Sequence, residues 1–97
     1  MYTPPSSVIS PQEHWELKAV LIDGGEEGES IAVGLWDGLP ILAVRWNGDN
    51  DERVSGFPQS RGHACWYNVP PGRRTDDIVA SLNEENRRIA RAVLPSA

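Results

Sequence analysis

Two β-patterned runs, Ser30–Trp36 and Ile41–Trp46, flank Asp37-Gly38-Leu39-Pro40, and this pairing constrains the fold more than any other feature. Asp-Gly between alternating apolar runs is the strongest short-range signal for a tight hairpin. Pro40 suits a position beside the turn and not inside a central strand. Whether the loop holds two residues or four, odd positions pair with even ones, so the two faces are the same either way. One face carries Ile31, Val33, Leu35, Leu42, Val44 and Trp46. It is bulky and reads as core. The other carries Ala32, Gly34, Trp36, Ile41, Ala43 and Arg45. Its small residues admit close approach of a further layer: the C-terminal helix, a second subunit or a partner.

Around this hairpin the pattern supplies two more strands and a helix. From His14 to Ile22, Trp15, Leu17, Ala19 and Leu21 alternate with other residues, a period of two, and Asp23-Gly24-Gly25-Glu26-Glu27-Gly28 ends the run as an acidic turn. His63 to Val69 reads as a fourth strand. His63, Cys65, Tyr67 and Val69 fall on one side of it, and Ala64, Trp66 and Asn68 on the other. Thr75 to Leu94 reads as one helix, with Thr75 as N-cap, Asp76 and Asp77 in the first turn, and Pro95 as the stop. Its apolar stripe is Ile78, Leu82, Ile89 and Val93, widened by Val79 and Ala90. Glu84 and Arg88 stand at i and i+4. Asn86 interrupts the stripe, so it bonds a sheet-edge backbone group or marks a contact for another chain. The expected fold is α+β: a small antiparallel sheet of about four strands, β-β-β-β-α, with one C-terminal helix packed on one face. Residues 1–12, rich in Pro and Ser, read as a flexible arm, and 13–97 as a single domain. One helix leaves the other sheet face half exposed, a face that a homodimer would cover.

Charge narrows the function classes. The net charge is −5. Residues 1–52 hold ten acids and two bases, and residues 53–97 four acids and seven bases. An acidic chain is poorly suited to general nucleic-acid affinity, which needs Lys and Arg against phosphates. The single Cys allows no intrachain disulfide and fits a reducing, cytoplasmic setting. The N-terminus lacks the basic and apolar regions of a signal peptide, and no apolar run is long enough for a membrane helix.

Each chemical motif is weak when taken alone. His63 and Cys65 share a strand face, but their parallel side chains suit a catalytic dyad poorly. His14, His63 and Cys65 lack the paired spacing of a metal site, so neither metal nor cofactor is expected. Asn47, Asp49 and Asp51 have the opening spacing of a calcium loop, but Glu52 and Pro58 stand where that loop needs Gly and Glu. Gly56-Phe57-Pro58-Gln59-Ser60-Arg61-Gly62 has glycines that permit an anion nest, but it carries no phosphate-loop or dinucleotide fingerprint. Arg73, Arg74, Arg87, Arg88 and Arg91 match a dipole-suited, solvated helix better than a nucleic-acid patch.

The region from Leu35 to Pro70 holds three of the four tryptophans and the 16-residue polar stretch 47–62. Aromatics and Arg dominate interface energetics. The expected docking residues are therefore Trp36, Arg45, Phe57, Ser60, Arg61, His63 and Trp66, with no catalytic residue. The expected function is a small soluble, non-enzymatic interaction protein, a regulator or inhibitor. It would bind a protein partner, basic or nucleic-acid-handling, through loop 47–62 and exposed aromatics. The short, acidic, Arg-over-Lys profile resembles that of small bacterial and phage accessory proteins in kind, on no specific residues. The alternatives are a nucleic-acid-binding domain using the C-terminal arginines, and a small enzyme using Cys65 and His63.

Overall fold

A computed structural model describes residues 2–48, 56–60 and 63–94. The strands are β1 (Trp15–Asp23), β2 (Glu29–Trp36), β3 (Leu39–Trp46), β4 (Gln59–Ser60), β5 (His63–Ala64) and β6 (Tyr67–Val69), followed by helices α1 (Arg73–Ser81) and α2 (Glu84–Val93). The main sheet is antiparallel in the order β1-β2-β3-β6, and β4 and β5 pair separately. This is the expected α+β fold, with helices packed on the sheet.

The central hairpin closes through two residues. Asp37 (φ 50°) and Gly38 (φ 84°) both adopt left-handed backbone, and Trp36 pairs with Leu39. Those signs suit the right-handed twist of the flanking strands. Pro40 therefore lies within β3, opposite Leu35. It is harmless there, because β6 extends along β3 only from Leu42 to Val44.

Three features depart from the simplest pattern. The first is in β1, where register shifts fall between Leu17 and Ala19 and between Val20 and Ile22. A bulge inserts an extra residue and turns the following side chains to the other face. Trp15 and Leu17 therefore pack on one side of the sheet, while Ala19 and Leu21 pack on the other. Strict alternation puts all four on one side.

The second departure replaces one C-terminal helix with two. The chain turns at Leu82 and Asn83, both in extended backbone. Leu82 points into the core and is nearly fully buried. The Asn83 side chain accepts the Asn86 N–H at 2.8 Å, and Glu84 and Glu85 occupy the first turn of α2. Asn followed by two acids is a helix start in its own right. Asn83→Ala is expected to destabilise the fold by about 1 kcal/mol in a denaturant melt. A continuous helix would instead gain from alanine at that position. Glu84 and Arg88 approach to 3.9 Å on the exposed face. Asn86 bonds the sheet backbone, donating from Nδ2 to the Leu21 carbonyl at 2.8 Å.

The third is that His63–Val69 is not one strand. Only Tyr67–Val69 joins the main sheet. Between β5 and β6 the backbone takes other partners: the Cys65 N–H donates to the Pro58 carbonyl, and the Cys65 carbonyl accepts from Arg45. This frees Trp66 to turn inward.

Both sheet faces are covered by the chain itself. On one face Leu21, Val33, Leu42 and Val69 pack with Val79, Leu82 and Ala90 of the helices. On the other, Trp15, Ala32, Ala43 and Trp66 pack with Val8 of the N-terminal segment. The layer admitted by the small face is thus this segment and the Trp66 turn. Pro5–Ser7 form a short 3₁₀ turn that sets up Val8, which is 1% exposed. The Trp66 indole Nε1 donates to the Val8 carbonyl at 2.8 Å, locking the layer to the sheet.

Candidate functional site

Two of the expected docking residues are internal supports. Trp66 is 7% exposed and belongs to the covered face. Arg45 is 2% exposed. From that same face its Nη1 donates to the Cys65 carbonyl at 2.7 Å and reaches the Pro58 carbonyl at 3.4 Å. Burial lowers its pKa, and Cys65 partly opposes that shift. A buried guanidinium with carbonyl partners is a post that holds the 56–65 backbone in place. Gly56 lets it fit: φ is +98°, and a Cβ there would meet the Trp46 carbonyl at 2.1 Å and Arg45 Nη2 at 2.4 Å.

Asn47 is a second post. It is fully buried, accepts from Ser30 Oγ at 2.7 Å, and donates to the Gly25 carbonyl at 3.0 Å and Asp23 Oδ1 at 3.3 Å. Its side chain is committed to the β1–β2 turn, which removes the first ligand of the calcium-loop pattern. Asp49, Asp51 and Glu52 lie outside the described residues, as does Arg61. Among the described residues no group of three or more His, Cys, Asp or Glu is arranged to hold a metal ion.

What the two posts carry outward is aromatic. Phe57 and Trp46 exchange both backbone hydrogen bonds at 2.9 Å, and their rings stack with centroids 5.6 Å apart. Phe57 nonetheless remains 61% exposed. Sheet register explains where it points. Leu42, Val44 and Trp46 share the helix-covered face, and directly paired residues project to the same side. Val44 pairs with Tyr67, Trp46 with Phe57 and with Glu29. Trp46, Phe57 and Tyr67 therefore form a platform at the end of that face, past the part covered by the helices. Tyr67 is 50% exposed. The Trp46 indole Nε1 donates to the Glu27 carbonyl at 3.0 Å, which ties the acidic β1–β2 turn to the platform's rim.

The remaining expected residues lie elsewhere. Ser60 ends β4 and pairs through its backbone with His63. His63 is exposed and lines an open groove of about 890 Å³ with Ser7, Ser10, Glu13 and His14. Trp36, half-buried, stacks on His14 with centroids 5.3 Å apart. Sequence reasoning marked Phe57 but missed Trp46 and Tyr67 on the same face, since the Trp46–Phe57 bridge and the β3–β6 register are pairings between segments remote in sequence.

The titratable groups give little support to nucleophilic chemistry. Burial pushes the Cys65 thiol up, with Arg45 opposing, so the thiolate that an attack needs is disfavoured. His14 behaves differently. Its Nδ1 is 2.7 Å from Asp37 Oδ1, and this hydrogen bond, then the Asp37 charge, raises its pKa. A raised folded value means that the pairing stabilises the fold fully below the unfolded-state value of about 6.5 and is lost as pH rises through the folded value. An NMR titration of the His14 ring is expected to give a midpoint above 6.5, and Asp37→Asn to bring it down. An unchanged midpoint in that variant would show that the carboxylate is not the cause.

No known protein family, curated protein or solved structure matches the chain. Among the described residues no helix is long and apolar enough to cross a membrane.

Proposed function

We propose that this chain is a small non-enzymatic interaction protein, a regulator or inhibitor that acts by occupying a partner protein's surface. Its docking site is the Phe57–Tyr67 platform, together with the neighbouring 56–60 segment. The observation that carries this reading is the state of Phe57: it is mostly exposed, yet fixed by two backbone hydrogen bonds and a ring stack. The stack on Trp46 stabilises the monomer through one side of the ring, and the larger part of its area stays in water. A ring held in this way is what an interface anchor requires, since little side-chain freedom remains to be lost on binding. Trp66 and Arg45 contribute by holding the scaffold and not by contact.

The test is affinity capture from native lysate after nuclease treatment, comparing the parent chain with Phe57→Ala and Tyr67→Ala. A protein partner retained by the parent and weakened roughly ten-fold or more by Phe57→Ala supports the reading, provided the variant melts as the parent does. Equal capture by the variants, or recovery of nucleic acid alone, overturns it. In the second case the exposed Arg73, Arg74, Arg88 and Arg91 become the surface to test.

A further inference from the structure

We propose that the platform's occupant is an arginine-bearing segment of the partner protein, an inference that rests on the docking site just described. The argument starts from what surrounds the rings. Glu29 pairs with Trp46 in the β2–β3 register and so projects from the same face, directly beside the Trp46–Phe57 stack. Glu26 and Glu27 lie in the turn that leads into it, and all three acids are exposed.

Their backbone is held against the platform at several points. The Glu27 carbonyl accepts from the Trp46 indole at 3.0 Å, and the Glu27 N–H donates to the Gly48 carbonyl at 2.7 Å. The Glu29 carbonyl accepts from the Gly24 N–H at 3.0 Å. The main chain that carries the acids is thus tied to the Trp46 end of the platform. Among the described residues the ion pairs are His14–Asp37, Lys18–Glu16 and Arg88–Glu84, and none uses these three acids. Charge of one sign is therefore concentrated along one rim of an aromatic surface, and no base among the described residues pairs with it there.

A guanidinium satisfies both parts of that surface at once. Its plane stacks on the face of Phe57 or Tyr67, and its forked N–H groups bond a carboxylate. A lysine ammonium meets the carboxylate but lacks the planar stack and the paired donors. An acidic or phosphate-bearing segment meets repulsion from the rim. Phe57 and Tyr67 flank positions two residues apart on β3, roughly 7 Å, a spacing that suits alternate side chains of an extended segment.

The test uses the full chain and fluorescently labelled dodecapeptides of alternating Arg-Gly, Lys-Gly and Glu-Gly, read by anisotropy. The Arg-Gly peptide is expected to bind more tightly than Lys-Gly, and Glu-Gly not at all. Phe57→Ala is expected to weaken Arg-Gly binding on the order of ten-fold. The paired variant Glu27→Gln/Glu29→Gln should weaken it comparably and flatten its dependence on salt. Arg-Gly binding that Phe57→Ala leaves unchanged would be attraction to net charge alone and overturns the proposal. So does parity among the three peptides. Concentration-dependent self-association of the chain, abolished by Arg88→Ala/Arg91→Ala, would make the occupant a second copy and also overturn it. If a lysate partner needs Phe57 but is not competed by Arg-Gly peptide, the docking site stands and the arginine chemistry falls. If neither partner nor peptide depends on Phe57, both fall.

Discussion

Trp66→Ala is expected to destabilise the fold by about 3–5 kcal/mol, the range for deleting a buried aromatic side chain. In a domain of this size 1 kcal/mol moves the melting temperature by about 4–8 °C, so a fall of about 12 °C or more should be seen by circular dichroism. The effect is large because Trp66 serves three partners. Its ring fills the space over Ala32 and Ala43, its indole caps the Val8 carbonyl, and it packs with the N-terminal segment against Trp15. Removing it leaves a void that small neighbours cannot close, and a buried carbonyl without its donor. Trp66→Phe separates these contributions. It keeps most of the packing and loses the indole N–H, and should cost about 1–3 kcal/mol for the carbonyl left unsatisfied. Limited proteolysis should then show cleavage before Val8 rising in the alanine variant well ahead of cleavage in β2 or β3. A Trp66→Ala chain that melts within a few degrees of the parent would mean that the N-terminal layer is not part of the cooperative core.

This layer marks the boundary of what the amino-acid order reveals. The β2–β3 hairpin was legible because its information is local: Asp37-Gly38 dictates the turn, and period-two alternation then assigns every side chain to a face. The face assignment of the helix-covered core follows from it, with Ile31, Val33, Leu42 and Val44 on one side, while the exact pairing of Val33 with Leu42 needed the two-residue loop that the structure shows. Alternation failed in β1, where the bulges depend on how β1 fits β2 and leave no trace in composition. It failed again at Trp66, whose burial depends on Val8, remote in sequence. The helix break was legible in principle from Asn83-Glu84-Glu85, but the continuous apolar stripe masked it, because Leu82 serves both readings.

The candidate site divides in the same way. The 47–62 stretch was singled out for its length and polarity, and Phe57 lies in it. Alternation assigns Arg45 to the small sheet face, and it reaches the Cys65 carbonyl from there. What pattern alone could not show was that the chain covers this face itself, which turns Arg45 from a surface anchor into a buried support. Tyr67 shares a face with Trp46 only because β6 docks on β3 in one particular register. Side-chain direction was therefore more legible than exposure, which is decided by the last layer to pack.

Gly34→Ala puts that last layer to its sharpest test, because two principles give opposite signs. Mid-strand glycine is worse than alanine by roughly 0.5–1 kcal/mol on backbone entropy alone, so the substitution should stabilise an open strand. In this fold a Cβ at position 34 would meet the Glu16 carbonyl at 2.4 Å, and Cη2 and Cζ2 of Trp15 at 2.6 and 2.9 Å. Overpacking of this kind costs about 1–3 kcal/mol, and contact with a backbone carbonyl places Gly34 toward the upper end. The expected net result is destabilisation by about 2 kcal/mol in a urea melt. Adding Trp15→Phe tests the cause. The shorter ring withdraws the two clashing atoms, and it also removes an indole N–H that is buried without a hydrogen-bond partner. Some stability should return, giving a favourable coupling in the double-mutant cycle. Full recovery is not expected, because the Glu16 carbonyl remains and can move only if β1 shifts against β2. A stabilised Gly34→Ala chain would mean that Trp15 does not lie on the sheet as described, and that the small residues of this face leave room for something other than the chain's own tryptophans.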